Sequence, residues 1–214
     1  MSTPPPLLYY IRHGETDWNV EWRLQGQRDI PINARGRIQA RRCGEILRDL
    51  LARDAIDPAQ LDFVSSPLGR ARETMELLRG TAGLEAHAYR QDERLAEISF
   101  GRWEGFTIAE LRQRWPDAVE ERERDKWGFA PPEAESYAEM SIRIREWYDA
   151  LTRDTVAVAH GGTLRGLVVQ LGIASAQEAP FLDIGQGVVY VIQPGSMTRY
   201  AGRMIPKSGQ RFSD

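Results

Sequence analysis

Thr155-Val156-Ala157-Val158-Ala159-His160-Gly161-Gly162-Thr163 is the stretch on which the fold turns. Its first five residues are small or β-branched and show no polar alternation, which suits a strand buried on both faces of a parallel sheet. The strand ends at a histidine followed by two glycines, and an apolar helical pattern then runs from Leu164 to Leu171. The same design stands near the start of the chain, where an apolar run from Leu7 to Ile11 ends in Arg12-His13-Gly14. If the two strands are parallel neighbours, their imidazoles emerge side by side at the carboxyl edge of the sheet, where ligands collect in folds of this kind. Glycine after each histidine permits a tight turn and close approach of a ligand, which makes His13, His160 and Gly161 candidate site residues.

Between these strands the pattern alternates. Residues from Gly36 to about Arg53 carry Ile38, Ala40, Ile46, Leu47, Leu50 and Leu51 near helical spacing. Leu61 to Val64 predicts a strand, Ser65-Ser66-Pro67 its exit, and Leu68 to about Leu78 the next helix. A third strand is predicted near Ala86 to Tyr89, helices near Ile108 to Trp115 and Tyr137 to Leu151, and a closing pair of strands at Gly187 to Ile192 and Met197 to Ala201. Strands alternating with helices imply an α/β fold, a three-layer α/β/α sandwich with a mainly parallel sheet. The expected organisation is one domain over residues 1–214, with flexible ends at 1–6 and 206–214 and a helical lid-like insertion at about 102–135. Within that insertion the charged run from Arg112 to Lys126 reads as a solvated helix, with part of a lid as the alternative.

The composition narrows the function. A chain of 214 residues with 42% hydrophobic and 28% charged residues is that of a soluble globular protein, and no apolar run reaches membrane-spanning length. The opening Met-Ser-Thr-Pro-Pro-Pro lacks a basic, then apolar, leader, so a cytoplasmic location is expected. A net charge of −3 argues against general attraction to nucleic acid or anionic membranes. Three histidines and one cysteine supply almost no material for a metal site, so neither metal nor cofactor is expected. Cys43 lies on a helical pattern beside Ile46 and Leu47 and reads as a buried structural thiol. Trp103, Trp115, Trp127 and Trp147 read first as core residues, with a pocket wall or subunit contact as the alternative.

Arginine supplies a second signal. Arg12 adjoins His13, and Arg70 follows just past the carboxyl end of the second predicted strand. Guanidinium forks donate paired hydrogen bonds in fixed geometry and suit phosphate oxygens, although Arg70 alone also reads as an exposed helix arginine.

The segments R-H-G-E-T-D-W-N, R-L-Q-G-Q-R-D-I-P-I-N, S-S-P-L-G-R-A-R-E-T, R-L-A-E-I-S-F-G-R-W-E-G and A-H-G-G-T-L-R, which run from Arg12 to Arg165, resemble the histidine phosphatase superfamily in its phosphoglycerate mutase-like branch. The resemblance implies that His13 is the nucleophile, that Arg12, Arg70 and His160 hold the phosphoryl group, and that Glu97 is the proton donor. It adds Asn19, Gln25, Gly26 and Gly161 as substrate-binding positions. The substrate class implied is a small phosphate ester, handled through a phosphohistidine. By local sequence alone, Glu97 also reads as a surface glutamate.

The chain departs from the mutases of this branch. They carry an arginine and a tyrosine after the acidic residue, where Ile98, Ser99 and Phe100 stand here, and an arginine pair where Lys126 and Trp127 stand. A lysine does not reproduce a bidentate guanidinium fork. F-G-R-W-E-G and P-P-E-A-E-S are similar to α-ribazole phosphatase and broad-specificity phosphatase members, which have two glycines in place of Glu133 and Ala134. The expected activity is therefore a phosphomonoesterase, with a cofactor-dependent mutase or an inactive phospholigand-binding module as alternatives.

Overall fold

A computed structural model describes residues 5–202. The expected flexible end at 206–214, and residues 1–4 of the other, lie outside the described residues. The strands are β1 (Leu8–Arg12), β2 (Asp62–Ser65), β3 (Arg90–Gln91), β4 (Thr155–Ala159), β5 (Val188–Gln193) and β6 (Ser196–Ala201). They form a single sheet in the order β3-β2-β4-β1-β5-β6. β3, β2, β4 and β1 are mutually parallel, and β5 and β6 close the sheet in antiparallel fashion.

The helices are α1 (Asp17–Val20), α2 (Ala34–Arg53), α3 (Gly69–Thr81), α4 (Ile108–Arg114), α5 (Pro116–Arg124), α6 (Tyr137–Asp149) and α7 (Gly161–Gln170). Strand alternation sorts side chains into two cores. Tyr9, Ile11, Val156 and Val158 face α2 and α3, where they meet Cys43, Leu47, Ala71, Met75 and Leu78. Leu8, Tyr10, Ala157 and Ala159 face α6 and α7, against Met140, Ile144, Trp147, Leu164 and Leu167. The architecture is thus the expected α/β/α sandwich. Each large aliphatic or aromatic side chain taken from water here contributes about 1.5–3 kcal/mol, which explains why β4, the central strand, has no polar position between its ends. Cys43 is buried, and burial pushes its thiol up to about 12, as a structural thiol requires.

Boundaries differ from expectation where capping decides them. α2 begins at Ala34 because the Asn33 side chain accepts from Gly36 N at 2.9 Å. α7 begins at Gly161, earlier than the expected Leu164, with His160 as its cap residue and Thr163 Oγ1 accepting from His160 N at 3.2 Å. The third strand is not at 86–89 but at Arg90–Gln91. Residues 86 and 87 turn, and Tyr89 is held instead by its side chain, whose hydroxyl donates to Glu76 at 2.9 Å.

Residues 101–129 build a small third core of Trp103, Leu111 and Val119, with Phe106 and Phe129 against it. The charged run is not simply a solvated helix. Burial of Val119 fixes the rotation of α5 and turns Arg122 inward, toward a cavity at the carboxyl edge of the sheet.

Candidate active site

β1 and β4 pair in register, Leu8 opposite Thr155 through Arg12 opposite Ala159. The next residue on each chain is a histidine. His13 N extends the ladder by donating to Ala159 O at 2.9 Å, and the two imidazole centroids lie 5.2 Å apart. Both rings are almost wholly buried, at 2% and 0% exposure. The turn after His13 is tight: a Cβ on Gly14 would sit 2.4 Å from Gly36 O, so α2 closes on this loop only because both residues are glycine.

The hydrogen bonds fix how His13 presents itself. Its Nδ1 lies 2.7 Å from Gly14 O, and because a carbonyl can only accept, Nδ1 carries the proton and Nε2 keeps its lone pair. Burial, then Arg70 and Arg12, hold the His13 imidazole well below its ordinary value of 6.5. His160 is depressed likewise, by burial first and then by Arg70, His13 and Arg12. Its Nε2 meets Ser66 Oγ at 2.7 Å, a contact between the second predicted strand exit and the second histidine that neither segment announces. Tyr10 steadies the same turn, with its hydroxyl donating to His160 O at 2.9 Å.

Arg70 is fully buried, which overturns its reading as an exposed helix arginine. It donates to Arg28 O at 2.6 Å and Gly26 O at 2.7 Å, so the loop containing Gln25 and Gly26 orients its guanidinium while each terminal nitrogen retains a second N–H. Arg12 donates to Ile184 O at 2.8 Å. Arg12 Nε, Arg70 Nε, Gln25 Oε1 and His160 Nδ1 are buried without a protein partner. Such atoms are costly in a folded protein unless something else satisfies them.

Glu97 is not a free surface glutamate. It accepts from Ile98 N at 2.9 Å and Gly162 N at 3.2 Å, which sets its carboxylate at the amino end of α7. Asn19 completes the capping box of α1, and its Oδ1 accepts from Thr16 N at 3.1 Å and Gln186 Nε2 at 2.9 Å. Only its Nδ2 group is left to meet a ligand. Gly161 opens α7 directly after His160.

A cavity of about 880 Å³ opens over this edge, lined by Arg12, His13, Asn19, Gln25, Gly26, Arg70 and Glu97 among others. His160 and Gly161 adjoin it behind His13 and Gly162 rather than lining it. Every catalytic and substrate-binding candidate from the sequence thus lies at or next to this one cavity. Its walls add Arg122, Lys126, Tyr137 and Arg165, together with Trp18 and Trp22. Of these, Arg165 and Trp18 fall inside recognisable motifs, whereas Arg122 carries no signal within its charged run. Of the four tryptophans weighed from the sequence, Trp103 and Trp147 are core, Trp127 stacks on Tyr137 at 6.0 Å, and Trp115 meets Phe106 edge-on. Among the described residues no cluster of three or more His, Cys, Asp or Glu side chains could hold a metal ion, and no helix is long and apolar enough to cross a membrane.

The fold and the paired histidines are those of the histidine phosphatase superfamily. Residues 8–201 match the family model for the histidine phosphatase superfamily, branch 1, and the chain belongs to that family. It is 30% identical to a 2,3-bisphosphoglycerate-dependent phosphoglycerate mutase of Methylobacterium radiotolerans, over 93% of this chain and 94% of that one. It is 31% identical to an uncharacterized phosphatase, PhoE, of Bacillus subtilis, over 75% of each. Among solved structures, a mycobacterial glucosyl-3-phosphoglycerate phosphatase superposes with a TM-score of 0.72 at 31% identity, covering 87% of this chain and 89% of that one. Relatives therefore include both mutases and phosphatases.

Proposed function

We propose that the protein is a metal-independent phosphomonoesterase acting on a small phosphorylated metabolite through a phosphohistidine on His13. The observation that carries this reading is the tautomer of His13: Nδ1–H is committed to Gly14 O, which leaves Nε2 as a neutral nucleophile between two arginines. Nε2 attacks phosphorus, the P–O bond to the alcohol breaks, and the departing oxygen takes a proton. Charge on the equatorial oxygens is met by Arg12, Arg70 and His160, whose orphaned nitrogens gain partners when a phosphoryl group enters. Glu97 supplies the proton to the leaving oxygen and then takes one from the water that hydrolyses phosphohistidine, releasing phosphate and restoring His13.

The missing arginine and tyrosine after Glu97 favour the phosphatase over the mutase. The two are separated by turnover of p-nitrophenyl phosphate in EDTA, set against 2,3-bisphosphoglycerate-stimulated interconversion of phosphoglycerates. Hydrolysis in EDTA without interconversion supports the proposal, and interconversion as the dominant reaction contradicts it. A chain that does neither while binding phosphate is the inactive module.

A further inference from the structure

Trp22 stands where the backbone favours glycine. It follows the end of α1 with φ +59°, in the left-handed region that a bulky side chain rarely adopts. The chain on both sides enforces that turn. Trp22 N donates to Asn19 O at 3.3 Å and Arg23 N to Trp18 O at 2.9 Å. Leu24 then pairs with the segment before α4, Leu24 N donating to Phe106 O at 3.0 Å and Gly105 N to Leu24 O at 2.8 Å. The reversal leads the chain on to Gln25 and Gly26, and Gly26 O orients Arg70. Glycine makes such a turn without strain, so the fold accounts for the conformation and not for the indole.

Packing does not account for the indole either. Trp22 is 85% exposed and nearby Val20 58% exposed. A large apolar side chain in water on a disfavoured backbone adds nothing to the stability of the chain by itself. Its position is informative, because Val20 and Trp22 line the active-site cavity together with Trp18 and with Ile108 and Ala109 of α4. Trp18 is held in place, with the Arg28 guanidinium 5.9 Å from its ring centroid and Gly105 so close that a Cβ there would lie 3.2 Å from the indole. The charged groups around Trp22 are already paired, Arg23 with Glu21 at 2.7 Å and Glu110 at 2.8 Å, and Arg35 with Glu15 at 3.5 Å. This side of the cavity therefore offers a ligand apolar area rather than net charge.

We propose that Trp22, with Val20 beside it, is an apolar platform for the leaving group, so that the substrate is a phosphate monoester whose alcohol carries an aromatic ring. This rests on the phosphomonoesterase reading. The ring stacks on the indole while the phosphoryl group sits at His13, and burial of both faces supplies the contact that the folded chain withholds. The test compares esters with leaving alkoxides of like basicity: 2-phenylethyl against ethyl phosphate and, for a longer reach, 4-phenylbutyl against butyl phosphate. Wild type should favour the aromatic member of at least one pair by about tenfold or more in kcat/KM, chiefly through KM. Trp22→Phe should keep most of that preference. In Trp22→Gly the ratio should fall toward one while Tm holds or rises, because glycine relieves the left-handed turn. A wild-type ratio near one in both pairs overturns the platform. So does a ratio that Trp22→Gly preserves, including the case in which that variant instead turns a dimer into a monomer by sedimentation. A Tm for Trp22→Gly more than about 4 °C below wild type also overturns it, since the indole would then be held for packing. If wild type hydrolyses none of these esters and no p-nitrophenyl phosphate, the phosphatase reading fails. Calorimetric Kd ratios for the same pairs then decide the platform by the same criterion.

Discussion

Gly162 N donates to Glu97 Oε2 at 3.2 Å, tying a loop carboxylate to the first turn of the helix that His160 caps. The bond places an acid from one segment beside the histidines of two others. If that acid protonates the leaving oxygen, its importance should follow the basicity of the leaving group. Glu97→Gln should slow phosphorylation by alkyl phosphates by roughly 10²–10⁴-fold and by p-nitrophenyl phosphate far less. The pre-steady-state burst reports this step alone, and equal losses for both esters would assign Glu97 a positioning role.

The same contact makes Gly162 a sensitive position. A Cβ there would lie 2.3 Å from Glu97 Oε1 and 2.8 Å from Ile98 Cγ2, so Gly162→Ala must displace the carboxylate. Its loss of alkyl-ester turnover should overlap that of Glu97→Gln, and the double variant should be little worse than either. Fully additive losses would mean that Gly162 acts through something other than Glu97.

Arg70 offers both a charge and a fork. Arg70→Lys keeps the charge but cannot span Gly26 O and Arg28 O while donating to an oxyanion. Vanadate, a phosphoryl-transfer mimic, should bind this variant at least about tenfold more weakly than wild type. Unchanged vanadate affinity would remove Arg70 from the phosphoryl cage.

Much of this is legible in the chain, and what is not has a physical cause. β4 can be read to the residue because a strand buried on both faces admits no polar interruption, whereas its in-register pairing with β1, which the shared strand-histidine-glycine design leaves open, is visible only in the folded sheet. β3 cannot, because two exposed residues carry no hydrophobic pattern and Tyr89 mimics a strand residue while packing by its side chain. His160 and Ser66 meet across 94 positions. Arg122 looks like any solvated arginine until Val119 is known to be buried.

Two depressed histidines predict a pH dependence with a definite sign. In the unfolded chain each takes up a proton as pH falls through about 6.5, whereas folded His13 and His160 remain neutral until well below it. The unfolded state then binds more protons, so stability is greatest above 6.5 and declines as pH drops through and below that value. Denaturant unfolding from pH 7.5 to 5.5 should show this slope, and His160→Gln should reduce it. A stability that rises on acidification across this window would contradict burial of the neutral rings.

The proposed phosphatase mechanism requires a covalent bond between phosphorus and His13. Rapid acid-free quenching after mixing with a ³²P-labelled phosphate ester should trap one label per chain, stable in base and lost in acid, on the peptide containing His13, and none in His13→Ala. A label on any other residue, or hydrolysis at near-wild-type rate by His13→Ala, would contradict it.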